Sequence, residues 1–274
     1  MPEKINDLST LPINYIGLFF YYCMPFRKKI IQNNINIVYK NTISHNEKQR
    51  LIISFYSHIA RSIKEFTSPR SAIMNEILGL EYLLQAASKG KGVLLLAPHI
   101  GNWEVACAKI LPKITMYKNK FNFIRKPISN IFIKKLLFKN FENAGINIIL
   151  KKGALKKSLN LLKKEHAIFF LLDQHASVES KEGIPVEFFG KKAGTYSSLA
   201  AIALLTKAPV VPAITYRDKI GHHVFEFSQP LEWIDYPSSE EAIYQNTLIY
   251  NQVLEKNILA HPEQWYWFHR RWKL

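Results

Sequence analysis

The stretch "VLLLAPHIGNWEVA", residues 93 to 106, carries four apolar residues into Pro98, His99, Gly101, Asn102, Trp103 and Glu104. An imidazole and a carboxylate placed close together can perform general-base chemistry. Five positions apart on one helix they would point roughly 140° away from each other. They meet if His99 ends a strand, Gly101 turns the chain and Glu104 falls in the first turn of a helix. Asn102 is a suitable N-cap for that helix. Glu104 would then accept a hydrogen bond from one ring nitrogen, leaving the other to take a proton. This is the base and orienter of a catalytic triad without a protein nucleophile. No G-x-S-x-G elbow occurs, and neither Cys23 nor Cys107 stands in a nucleophile motif. The expected nucleophile is therefore a substrate hydroxyl attacking an activated acyl group. The competing reading is a histidine that only caps a turn at a strand end.

The elements that would position this pair can be read from periodicity. From residue 92, short apolar runs ("GVLLLAP", "FNFIRK", "INIILK", "AIFFLLDQ", "PVVPAITYR", "HHVFEFSQ") alternate with amphipathic stretches such as "SNIFIKKLLFKNFENAG", "GALKKSLNLLKKEH" and "YSSLAAIALLTKA". That alternation predicts an α/β fold with a largely parallel central sheet flanked by helices. Such sheets bind ligands at the carboxyl ends of their strands. Residues 97–104, 125–126 and 173–175 all fall there. The first ninety residues read as helical, over 46–66 and again over 72–90. A last long helix is predicted from Ser238, with Glu241 in capping-box position. No linker divides the chain, so one domain over 1–274 is expected: a helical region to residue 90 and a catalytic core over 91–274. The aromatic ending "HPEQWYWFHRRWKL" must either pack onto the core or sit in an interface.

Composition narrows the class. The 274 residues are 48% hydrophobic, with 37 Lys and Arg against 21 Asp and Glu, a net charge of +16. Such a field favours an acidic protein, an anionic membrane surface or nucleic acid. A nucleic-acid role is the remote reading, because no binding motif accompanies the charge. Two cysteines without C-x-x-C spacing give no metal site and suit a reducing compartment. The start "MPEKINDLST" has no signal-peptide pattern. "INYIGLFFYYCMPF", residues 13 to 26, is shorter than the about 20 apolar residues that a spanning helix needs. Its aromatics and the "RKK" behind it suit a membrane interface, and a packed core helix is the other reading.

"APHIGNWE" resembles the H-x-x-x-x-D/E block of the glycerolipid acyltransferase superfamily, and within it the late acyltransferases of lipid A biosynthesis. "FIRKPISN", the "LLDQ" segment, "VEFFG", "PVVP" and "HPEQWYWFHRRWK" are similar to further blocks of that family, in the same order over residues 93–274. The resemblance implies transfer of a fatty acyl chain from acyl carrier protein, or from acyl-CoA, to a lipid hydroxyl, without metal or other cofactor. It implies His99 as general base and Glu104 as its partner. It places Asn102, Arg125, Asp173, Gln174, Phe189 and Gly190 at the substrate, with Arg125 facing a phosphate or holding the acidic substrate, and Phe189 and Gly190 shaping a turn beside the acyl channel. The implied location is the cytoplasmic face of a bacterial inner membrane, and the short 13–26 segment makes peripheral or monotopic attachment the expectation. A different lipid acceptor, or a thioesterase using the same pair on water, is compatible with these residues.

Overall fold

The computed structural model describes residues 7–40, 42–68, 71–125 and 140–273, without the side chains of residues 74 and 75. Three helices come first: α1 (Tyr15–Tyr22), α2 (Lys28–Tyr39) and α3 (His45–Thr67). The core then alternates β1 (Met74–Leu78), α4 (Leu80–Ala87), β2 (Val93–Ala97), α5 (Trp103–Ile110), β3 (Phe121–Arg125), β4 (Asn147–Leu150), α6 (Ala154–Leu162) and β5 (Ala167–Leu171). A hairpin of β6 (Ile184–Phe188) and β7 (Lys191–Thr195) precedes α7 (Ser198–Thr206), β8 (Val210–Arg217), β9 (His223–Phe227) and α8 (Ser239–Ala260).

Seven strands form the main sheet in the order β1-β9-β8-β2-β5-β3-β4. Neighbours are parallel throughout except β8 and β9. Strand β2, "VLLLA", is buried along its whole length, as a central strand covered on both faces must be. Leu94 and Leu96 enter a core shared with α3, α7 and α8. Val93 and Leu95 enter the opposite core, with Leu83 of α4 and Cys107 of α5. Cutting any of these leucines to alanine would cost about 2–5 kcal/mol.

The α/β class with a mostly parallel sheet agrees with the sequence reading, and the expected long helix does start behind a Ser238 cap. The stretch 72–90 does not fold as one helix. Gly79, at φ 64°, breaks it into a strand and a helix, and β1 pairs in parallel with β9. A Cβ at Gly79 would lie 1.9 Å from the Phe227 carbonyl oxygen, so strand pairing imposes the glycine here. Residues 126–139 lie outside the described residues. They include most of the helix expected at 129–145 and its lysines 134, 135 and 139.

The N-terminal segment packs one face on the core, as the core-helix reading expects, and leaves its other face exposed. Gly17 and Tyr21 of α1 pack against α3, while Tyr15, Ile16, Phe19 and Tyr22 are exposed, Tyr15 at 91%. Among the described residues no helix is long and apolar enough to cross a membrane.

Candidate active site

The last residue of β2 delivers Pro98 and His99 to the carboxyl edge of the sheet, and Gly101, at φ 69°, turns the chain into α5. This close turn lies against β8: a Cβ at Gly101 would meet the Thr215 carbonyl oxygen at 2.4 Å. Several bonds pin the loop. The Ile100 carbonyl accepts from Thr215 Oγ1, the His99 carbonyl from the Tyr266 amide, and the Gln264 carbonyl from the Gly101 amide. The C-terminal aromatic segment is therefore packed onto the core, with Trp265 and Trp267 nearly or fully buried.

His99 finds its carboxylate one strand away. At the end of β5, Asp173 Oδ1 lies 2.7 Å from His99 Nδ1, and Asp173 Oδ2 accepts from the His99 backbone amide at 2.9 Å. Trp265 Nε1 donates to the same Oδ2 at 2.8 Å. Burial opposes ionisation of Asp173, which is only 2% exposed, but His99 and these donors outweigh it and hold its pKa at about 2. An acceptor on Nδ1 fixes the Nδ1–H tautomer and leaves the Nε2 lone pair free to act as base. Gln174 Nε2, at 3.2 Å, donates to that lone pair.

Glu104 sits in the first turn of α5, as the spacing predicts, yet its carboxylate is turned elsewhere. It faces Arg125 at the end of β3, with Oε1 3.6 Å from Nη2. The expected Glu104 hydrogen bond to the imidazole is thus replaced by that of Asp173. The reason is topological: β5 lies beside β2 in the sheet, so residue 173 emerges next to residue 99. Burial pushes the Glu104 carboxyl up, against the opposing pull of Arg125 and His99. Arg125 stacks its guanidinium 5.9 Å above the Trp103 ring and keeps Nη1 buried without a partner.

Three other expected substrate contacts fall elsewhere. The Asn102 amide makes no N-cap bond and instead donates to Glu65 Oε2 at 2.9 Å and to the Ser62 carbonyl at 3.2 Å, both on α3. Phe189 and Gly190 have φ of 55° and 72° and form the two-residue turn of the β6–β7 hairpin. Phe189 packs beside Trp272, and its amide donates to Glu255. Neither residue lines the cavity beside His99.

That cavity has a volume of about 710 Å³. His99, Arg125, Gln174, Lys151 and Tyr196 supply polar groups, and Leu155, Phe170, Leu172 and Ile202 line it with apolar surface. Lys151 pairs with Glu182 at 2.5 Å. Behind the His99 loop, Glu65 accepts from Arg217 (Nε 3.1 Å, Nη2 2.5 Å) and from His223 Nε2 at 3.0 Å. Arg217 Nη1 also reaches His58 Nδ1 at 2.7 Å. Burial alone would raise the Glu65 pKa, but these donors drive it far below the carboxylate range. This network locks α3 to the sheet directly behind the reactive loop.

A buried carboxylate on an imidazole, at an apolar cavity with a cationic rim, is an arrangement that can perform general-base chemistry beside a long apolar group. The sequence profile described as bacterial lipid A biosynthesis acyltransferase matches residues 2–274, and the chain belongs to that family. It is 24% identical over 265 residues to the lipid A biosynthesis lauroyltransferase of Escherichia coli, covering 91% of this chain and 80% of that protein. It is 25% identical over 200 residues to a lipid A biosynthesis acyltransferase of Haemophilus influenzae, covering 70% of this chain and 57% of the length of that relative. It is 21% identical over 197 residues to a phosphatidylinositol mannoside acyltransferase of Mycobacterium tuberculosis, covering 71% of this chain and 58% of that protein.

Proposed function

We propose that this protein moves a fatty acyl chain from a thioester donor to a hydroxyl of a lipid A-type glycolipid, with His99 as general base and Asp173 as the carboxylate that orients it. The observation that carries this reading is the 2.7 Å contact between His99 Nδ1 and Asp173 Oδ1, with Nε2 meeting, among the described residues, only the amide of Gln174, a cavity-lining residue. The acceptor hydroxyl displaces Gln174 from Nε2 and gives it a proton as the oxygen attacks the thioester carbonyl. The C–S bond then breaks, and the departing sulfur takes that proton from Nε2. Ester and thiol are the products, and the imidazole is restored. No cofactor enters this scheme. Asp173 stabilises the imidazolium formed in between.

The apolar part of the cavity suits the acyl chain. Arg125 Nη1, buried and unpaired, suits a phosphate oxygen of the acceptor, and Glu104 fixes the guanidinium from its other side. Acyl carrier protein is the favoured donor, with acyl-CoA second. The charge of +16 supports an acidic partner, as does a run from 143 to 164 with six lysines and no Asp or Glu. The exposed aromatic face of α1, followed by Arg27, Lys28 and Lys29, suits peripheral attachment to the cytoplasmic face of an inner membrane.

The test is mass spectrometry of lipids formed from acyl carrier protein thioesters and a tetra-acylated lipid A precursor. A gain of one acyl chain by wild type, absent in His99→Ala, is the expected result. Free fatty acid without an acylated lipid would point to a thioesterase instead. Gain only with a total membrane-lipid extract would replace the acceptor and keep the chemistry.

A further inference from the structure

Gln174 stands on a pinned stretch of backbone. Before it, Asp173 holds the His99 amide, the His99 ring and the Trp265 N–H. After it, the His175 amide donates to His269 Nε2 at 2.7 Å and the Ala176 amide to the Gly194 carbonyl at 2.9 Å. From this fixed base the Gln174 side chain lines the cavity, with Nε2 3.2 Å from His99 Nε2.

Other N–H groups around the reactive loop are committed within the protein. The His99 amide donates to Asp173, the Gly101 amide to the Gln264 carbonyl, and the Asn102 side-chain amide to Glu65 and Ser62. At the cavity rim the Arg125 and Lys151 cations face Glu104 and Glu182. Gln174 differs from all of these, because its hydrogen bond goes to the base itself. An amide N–H cannot donate to a ring nitrogen that has gained a proton. It needs a new acceptor at the step at which a substrate oxygen becomes negative.

We propose that Gln174 is a further catalytic residue, whose side-chain amide donates to the thioester carbonyl oxygen as that oxygen becomes an oxyanion. This rests on the proposed acyl transfer. As the acceptor oxygen bonds to the carbonyl carbon, its proton passes to His99 Nε2. The π electron pair of the carbonyl moves onto its oxygen, where the Gln174 N–H meets it. When that pair returns, the C–S bond breaks and the sulfur leaves with the Nε2 proton. The attacking oxygen and the carbonyl oxygen share one carbon. Two nitrogens 3.2 Å apart can address that pair side by side, each within the roughly 2.7–3.1 Å that such donors need. The pinned backbone keeps the reorganisation of this donor small during the reaction.

The test compares two probes for binding to the full chain. One is a long-chain alkyl phosphonate monoester, anionic and tetrahedral at phosphorus; the other is the methyl ketone of the same chain, neutral and planar. Wild type is expected to bind the phosphonate more tightly. In Gln174→Met, which keeps the side-chain length and loses the donor, phosphonate affinity should fall about 10- to 100-fold while ketone affinity stays within about twofold. Arg125 is present in both proteins, so its attraction cancels in the comparison. In transfer assays the same variant should lower kcat about 10²- to 10³-fold with KM within about threefold. Gln174→Ala should reproduce both losses.

Equal loss for both probes would make Gln174 a structural wall of the cavity and overturn the proposal. Unchanged phosphonate affinity would overturn it as well. Transfer that depends on His99 but keeps its kcat in Gln174→Met removes only this inference. Selective loss of the phosphonate in Gln174→Met, with no acyl transfer to any lipid by wild type, removes only the proposed transfer and leaves the oxyanion donor in place.

Discussion

Asp173 binds His99 twice: one carboxylate oxygen takes the imidazole Nδ1 and the other takes the histidine's own backbone amide. The residue that orients the ring therefore also fixes the end of the strand from which the ring projects. Trp265 shares the second oxygen, so three N–H groups converge on one carboxylate. A group with one acceptor oxygen cannot serve all three.

Asp173→Asn should therefore disable the base through its tautomer. If the new amide oxygen keeps the His99 amide and Trp265, its NH2 faces Nδ1 and drives the ring proton to Nε2. Turnover should fall about 10²- to 10⁴-fold, the range for loss of a general base, while binding of the acyl chain stays within about twofold. Glu104→Gln should raise KM for the phosphorylated acceptor more than it lowers kcat, because its contact is Arg125. Steady-state kinetics of both variants decide the matter. Equal loss of kcat in both would return the orienting role to Glu104.

Trp265→Phe keeps the aromatic volume and removes one donor from Asp173. The loss of a bond to a charged acceptor should cost about 1.5–3 kcal/mol of stability at neutral pH. The Asp173 pKa, held at about 2 against an ordinary value near 4, should rise. The sign follows directly. A carboxylate held low stabilises the fold above its unfolded pKa and loses that contribution as pH falls toward its folded value. Acid unfolding of the variant should thus begin at higher pH than in wild type. An unchanged acid midpoint would mean that Trp265 does nothing for the carboxylate.

The reactive loop was legible because its signals are local. A wholly apolar strand, a turn glycine and an acid in the next helical turn all lie within residues 93–104. The partner of His99 was not legible from spacing, since sheet order brings residue 173 beside residue 99 and nothing in the sequence states that order. Asp173 and Gln174 were visible as strand-end residues, but their attachment to the ring was not. Trp265 was hidden for a similar reason: an aromatic in an aromatic-rich tail signals burial, and only contact shows what its N–H meets. Phe189 and Gly190 were legible as a turn, but residue types do not say which surface a two-residue hairpin turn faces. Glu65 gave no signal, standing as one acid among the charged positions of a long amphipathic helix.

Glu65→Gln tests whether α3 is integral to the site. The substitution leaves Arg217 buried against a neutral amide, and breaking one side of a buried ion pair costs about 3–5 kcal/mol. Denaturant unfolding should register that loss. The double variant Glu65→Gln with Arg217→Met should recover part of it by removing the stranded charge. If the double variant is less stable than the single, Arg217 is held by its other partners, His58 and Ser62.

The exposed face of α1 predicts an effect on binding without one on folding. Ile16, Phe19 and Tyr22 are 54%, 51% and 63% exposed. Changing all three to serine should move stability by no more than about 1.5 kcal/mol, since surface substitutions stay near 0.5 kcal/mol each. Sedimentation with anionic vesicles should fall at least about tenfold, because these side chains supply apolar area to the interface. Undiminished vesicle binding would assign attachment to the basic surface alone.

His269 links acid sensitivity to the reactive loop. Its Nε2 accepts from the His175 amide at 2.7 Å, one residue beyond Gln174, and only a neutral imidazole can accept there. Burial depresses its pKa to about 4, with Asp173 pulling the other way and His99, Arg271 and His175 adding to the depression. The unfolded chain takes up this proton near the ordinary value of about 6.5. Between those limits the unfolded state binds more protons, so stability falls as pH drops from about 6.5 toward 4. His269→Gln keeps an acceptor for His175 without the titration. Melting curves of both proteins at pH 7 and pH 5 should therefore show wild type losing a few degrees relative to the variant. A gap that stays constant across that interval would mean that His269 does not titrate against folding, and that the His175 amide is held by other means.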